Sequence, residues 1–137
     1  MTLPEPCLRE IESVYADLDR ELASLGHSCR ACGQCCDLVR NKYRLYLSTL
    51  ELALIQQRLG VVSLPPQHDG RCGFQLGAKC TIHQVRPLGC RTFFCQAKGM
   101  HLQQLYDKYL KRLKALADRY ALEWNYSQKY PEDNPAQ

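Results

Sequence analysis

The chain has 137 residues, 45% of them hydrophobic and 23% charged, with a net charge of +4. That leaves room for one domain with a modest core, and the charge is too mild to call for nucleic acid. Nine cysteines in so short a chain approach the density of a covalently or metal-stapled fold, and no apolar run is long enough to cross a bilayer.

Leu8, Ile11, Tyr15, Leu18, Leu22 and Leu25 recur in steps of three and four, which predicts an amphipathic helix over about 5–25. Glu10, Asp17, Asp19 and Arg20 fall on its solvent side. Pro4 and Pro6 suit a helix start and Gly26 a helix end. Cys7, far from the other cysteines, reads as structural or incidental. The sequence opens without a basic stretch followed by an apolar one, so no secretory leader is expected. A leaderless chain belongs in a reducing cytoplasm, where clustered thiols serve metals more readily than disulfides.

Residues 29–36 then place four cysteines at spacing C-x2-C-x2-C-C. Two intervening residues let a tight turn bring both sulfurs to one cation or one cluster iron, and Gly33 supplies the turn. Three thiolates at successive x2 spacings also resemble the opening of a bacterial ferredoxin-type run. Adjacent Cys35 and Cys36 point in different directions, so one is expected to bind while the other bridges, packs or stays free. Buried free thiols and disulfides are the competing readings, and both are the weaker.

Tyr43, Leu45 and Leu47 alternate with Arg44 and Tyr46, which predicts a short extended segment. Ser48-Thr49-Leu50-Glu51 is a capping-box pattern. The helix it opens carries Leu50, Leu54, Ile55 and Leu59 and ends at Gly60. Pro65-Pro66 and Asp69-Gly70 mark residues 61–71 as a loop.

The second cysteine region holds Cys72, Cys80, Cys90 and Cys95. Gly73, Gly77 and Gly89 permit tight turns whose amides can donate to thiolate sulfurs. Pro87 keeps Arg86 extended, so any helix is expected to stop short of Cys90. Leu102, Leu105, Tyr109, Leu113, Leu116, Tyr120 and Trp124 predict a second long helix over about 100–124. Lys98, Lys108, Lys111, Arg112, Lys114 and Arg119 outnumber Asp107, Asp118 and Glu123 there, an excess read as a solvated face. From Asn125 onward the tail is expected to fray.

The expected fold is mostly α: a small single domain of two long helices and a short helix around an irregular cysteine-rich metal-binding core. Its parts are an N-terminal helix (1–27), the cysteine-cluster core (28–96), a C-terminal helix (97–124) and a flexible tail (125–137).

The compound pattern Cys29-x2-Cys32-Gly33-x-Cys35-Cys36, a Leu-Ser-Thr helix start, Cys72-x7-Cys80, Ile82-His83 and Arg86-Pro87-x2-Cys90-Arg91-x-Phe93 resembles the YkgJ-type cysteine-cluster family. The resemblance covers about 28–95. It implies a zinc- or iron-chelating domain, like the module found in flagellin lysine methylases. It also implies that Cys29, Cys32, Cys35, Cys36, Cys72, Cys80 and Cys90 occupy the family's cysteine positions. Cys95, in the second cysteine region, is also a candidate ligand, although the family pattern more often ends with an aromatic and a proline after the arginine.

Eight cysteines between 29 and 95 are enough for one site with spares or two sites of four. A [4Fe–4S] cluster fits the near all-sulfur inventory and the Gly-rich surroundings; zinc fits the CxxC spacing and the small size of the chain. The balance leans to iron–sulfur. His83 and His27 are possible ligands but read better as surface or hydrogen-bonded residues; His68 and His101 have no local reason for a role. Arg86 and Arg91 flank Cys90, where guanidinium donors would stabilise a negatively charged thiolate centre. Two function classes follow: a metal-binding protein for electron transfer, metal handling or structural stapling, with a redox partner protein, or an accessory or catalytic subunit of a redox or modification enzyme. An independent enzyme is disfavoured, because no nucleotide-binding Gly-rich unit, paired acid/base constellation or serine–histidine arrangement is present. A zinc-ribbon nucleic-acid binder is weaker still, since aromatics are not interleaved with the basic face.

Overall fold

In the computed structural model of the chain, residues 2–26, 46–61, 75–76, 79–80, 85–92 and 100–128 are described. The elements run α1 (Glu5–Ser24), β1 (Tyr46–Ser48), α2 (Thr49–Leu59), β2 (Gln75–Leu76), β3 (Lys79–Cys80), α3 (Leu88–Thr92), α4 (Met100–Arg119) and β4 (Tyr126–Gln128). The fold is mostly α, as expected; the described strands are two or three residues long and form two antiparallel pairs, β1–β4 and β2–β3.

Helix α1 packs against both α4 and α2, while α3 packs on α4. The period read from α1 is the buried stripe: Leu8, Ile11, Tyr15, Leu18 and Leu22 enter the core, with Val14 between them. Leu25 does not. It follows the helix end and is half exposed, because Gly26 at φ +83° turns the chain away. Cys7 is fully buried among these residues, and burial pushes its thiol pKa up, so it is a core thiol kept protonated.

The capping box at α2 is formed: the Glu51 amide donates to Ser48 Oγ (3.3 Å) and the Ser48 amide to Glu51 Oε1 (3.3 Å). Leu50, Ala53, Leu54 and Ile55 face the core, and Gly60 closes the helix in the left-handed region at φ +67°. Gln57 reads the backbone of Leu3 in both directions, accepting its amide (2.6 Å) and donating to its carbonyl (3.1 Å). Arg58 bridges Glu5 and Glu12, each at 2.7 Å, and ties α2 to α1 from outside.

Helix α4 ends earlier than its apolar period suggested. The Ala121 amide donates to Asp118 O (3.1 Å) and the Leu122 amide to Ala117 O (2.8 Å), the paired closure of a Schellman turn, with Ala121 itself at φ +54°. Tyr120, Leu122 and Trp124 therefore cover the core from a turn and an extended segment. The stretch expected to fray instead begins as a strand. β4 pairs with β1, and the Asn125 backbone is held by Thr49, whose Oγ1 accepts the Asn125 amide at 2.7 Å. Residues 129–137 lie outside the described residues.

The basic excess of α4 is largely matched by α1. Lys108 reaches Glu21 (2.9 Å), Arg112 reaches Asp17 (2.8 Å), and Arg119 pairs with Glu10. Tyr109 and Tyr120 donate to Glu21 (2.6 Å) and Glu10 (2.5 Å). Glu10 and Asp17, placed on the solvent side of α1, are thus part of the rim of its contact with α4.

Candidate metal centre

Of the cysteines expected to bind metal, Cys29, Cys32, Cys35, Cys36, Cys72 and Cys95 lie outside the described residues, as do His27, His68 and His83. Cys80 is placed by its backbone alone, on β3 opposite Gln75. Cys90 is described in full: half-buried, the middle residue of α3. Among the described residues no three histidine, cysteine or acidic side chains gather into a metal-sized group.

Cys90 stands on a helix the sequence reading did not expect. Pro87 does hold the chain extended before it, but a residue that stops one helix is well suited to precede another, since its fixed φ and missing donor cost nothing at a helix start. Helix α3 begins at Leu88 directly after Pro87, and the Arg91 amide returns to Pro87 O at 3.0 Å. Cys90 is inside that helix.

Five residues cannot hold a helix by propensity, because nucleation is too costly for the few hydrogen bonds gained. Two side chains from elsewhere hold this one. At its start, Glu51 Oε2 accepts the Leu88 amide at 2.6 Å and the Tyr15 hydroxyl at 3.0 Å, while Oε1 takes the Ser48 hydroxyl at 3.0 Å. Glu51 is only 1% exposed. Burial raises its pKa, with the donors from Leu88, Ser48 and Tyr15 pulling the other way and losing. At the other end, Arg91 is 5% exposed; its Nε donates to Arg86 O (2.7 Å), its Nη1 pairs with Asp19 (2.7 Å), and its guanidinium lies 4.1 Å from the Tyr15 ring centroid. Thr92 Oγ1 closes onto Leu88 O at 2.9 Å.

Tyr15 thus sits between both anchors, its hydroxyl on Glu51 and its ring under Arg91. Its pKa is driven well up, first by burial and then by the Glu51 carboxylate, so the hydroxyl remains a donor. Arg86 is also buried, at 7% exposure, with Nη1 at 3.5 Å from the Cys90 carbonyl. Neither arginine is an ordinary surface residue. Both interact with the backbone around Cys90, and Arg91 fastens it to α1.

Glu51, Tyr15 and Asp19 were not legible as parts of this site. Glu51 was visible as a helix cap, Tyr15 as one more core residue and Asp19 as solvent-facing. A glutamate at the third helical position can serve its own cap from outside the core, so full burial was the missing signal.

Cys90 is thus a half-buried thiol on a short helix whose first amide is held by Glu51 and whose Arg91 is paired with Asp19. The donor chemistry also fits: thiolate sulfur is a ligand for zinc and for iron–sulfur clusters alike. Residues 28–113 match the model of the CxxCxxCC family, described as "Putative zinc- or iron-chelating domain". The chain belongs to that family. The match runs past the last cysteine into α4, so the helix against which α3 packs is part of the family's domain. No curated protein and no solved structure matches the chain. No helix among the described residues is long and apolar enough to cross a membrane.

Proposed function

We propose that this protein is a cytoplasmic metal-binding module in which thiolates drawn from Cys29, Cys32, Cys35, Cys36, Cys72, Cys80, Cys90 and Cys95 hold an iron–sulfur cluster or zinc. The family match carries the reading, and the clamped setting of Cys90 supports it from this chain's own residues. An iron–sulfur cluster is favoured over zinc by the C-x2-C-x2-C run and the nearly all-sulfur donor set. Such a centre would supply electron transfer with a redox partner protein. Zinc would supply a structural staple or metal handling.

The arginines have a defined part in this reading. A thiolate centre is net negative, and Arg86 and Arg91 place two permanent positive charges beside Cys90. Arg91, bonded to Asp19 and to the Arg86 carbonyl, adds field and placement to the centre.

Metal analysis and a visible spectrum on anaerobically purified protein test the proposal. Stoichiometric iron with a broad band near the violet that bleaches on reduction supports a redox cluster; stoichiometric zinc without colour supports the alternative. Cys32→Ser and Cys90→Ser should each lower metal content and thermal stability. Cys7→Ala should leave metal content unchanged. Equal metal in all three variants refutes the ligand assignment.

A further inference from the structure

Resting on the metal-chelating reading, we infer that Glu51 is the positioning residue of the metal centre: its buried carboxylate seats α3, and so sets where the Cys90 thiol stands, with the Asp19–Arg91 pair as the second anchor. The inference comes from what holds a helix that cannot hold itself. α3 has five residues, and its first amide, which no helical carbonyl can satisfy, is taken by a carboxylate from 37 positions away at 2.6 Å. That carboxylate cannot drift. Its other contacts come from Ser48, at the start of the helix Glu51 itself belongs to, and from Tyr15 on α1.

The two anchors bracket the cysteine. Glu51 grips the residue two before Cys90, and Arg91, the residue after it, is held to Asp19 72 positions away. Tyr15 links the two grips, bonding one through its hydroxyl and supporting the other with its ring. The groups named in this frame lie on α1, the end of β1, α2 and the 85–92 segment. On this inference the contacts among the described residues are enough to seat Cys90 before a metal draws the remaining thiolates to it. Preorganising one ligand lowers the ordering cost that binding must meet, and removal of such outer partners weakens metal sites by roughly 10–100-fold.

The test uses the full chain, reduced and metal-free, with Zn²⁺ affinity measured by competition against a chromogenic chelator. Co²⁺ serves as a second probe whose visible bands report ligand geometry. Glu51→Leu should weaken Zn²⁺ by at least about tenfold and shift the Co²⁺ bands. Glu51→Gln, which keeps an oxygen to accept the Leu88 amide, should recover most of that loss. Leu54→Ala is the control: it opens the same core on the same helix and leaves both anchors in place, and it should bind Zn²⁺ like the wild type wherever circular dichroism shows it folded. If Glu51→Leu fails to fold, Asp19→Ala tests the same frame from its exposed side and should also weaken binding and shift the bands. Wild-type affinity and unchanged bands in the folded Glu51 or Asp19 variant overturn the inference, as does an equal loss in Leu54→Ala. Should the wild type take up neither probe, the chelating reading itself falls, and this inference with it.

Discussion

Glu51 is a carboxylate whose environment works against its charge. Burial outweighs the donors around it, so the folded protein holds its proton more tightly than the unfolded chain does. The linkage then has a definite sign: the stabilising contribution is complete below the ordinary glutamate pKa and is lost as pH rises through the raised one. Urea midpoints taken across that window should fall with rising pH in the wild type and flatten in Glu51→Gln. A slope unchanged by the substitution would mean that another group titrates there. Tyr15→Phe probes the same spot more gently. It removes one donor from a buried acceptor, and a loss of about 1–2 kcal/mol in denaturant unfolding is expected. Cys7 is a different kind of buried group. Exchanging it for serine places a hydroxyl at a fully buried position, at a cost of about 1–3 kcal/mol, whereas alanine at the same position leaves only a small void.

Among the elements, α4 carries an imperfection that can be repaired. Its closing turn has the bonds of a Schellman motif, but the residue at φ +54° is Ala121, where glycine would be at ease. Ala121→Gly should raise stability by about 1 kcal/mol, read as a higher melting temperature. No change would indicate that the gain is offset by the added freedom of glycine in the unfolded chain. The contrast with α2 is useful, because that helix ends on Gly60 at φ +67° and already has the residue its geometry demands. Helix α3 shows the opposite dependence. Its first amide is taken by Glu51 and its Arg91 is held by Asp19, so its persistence reports on those links and on packing against α4 and not on its own composition.

For the molecule as a whole, the seam between α1 and α4 sets the response to acid. Glu21 and Glu10 have pKa values lowered chiefly by the Tyr109 and Tyr120 hydroxyls, and next by Lys108 and Arg119. Stability from depressed carboxylates is present above the ordinary glutamate pKa and lost as pH falls through the lowered values. Acid unfolding is therefore expected below the ordinary glutamate range. The double variant Tyr109→Phe, Tyr120→Phe should show a shallower dependence of stability on pH there; an identical slope would place acid sensitivity elsewhere. At the alkaline end, Tyr109 is pushed up to about 12 by burial and by Glu21, so spectrophotometric titration should find it, with Tyr15 and Tyr120, ionising after the exposed tyrosines. The ion pairs of the seam are partly exposed, so each contributes little, and less in salt.

Much of this architecture is local and was legible from the sequence. The period of three and four in α1, the Ser48–Glu51 box and the glycines at 26 and 60 all act within a few residues of themselves, so their spacing is their mechanism. The same holds for the compound cysteine and arginine pattern, which marked the family and the class of its site. Tertiary structure alone decided how Cys90 is carried. A five-residue helix leaves no periodic trace, and its anchors join Glu51 to Leu88 and Asp19 to Arg91 across gaps that no local pattern spans. A charge on a helix reads as solvent-facing until the chain has folded far enough to bring it a partner. Here the partners come from the other end of the molecule.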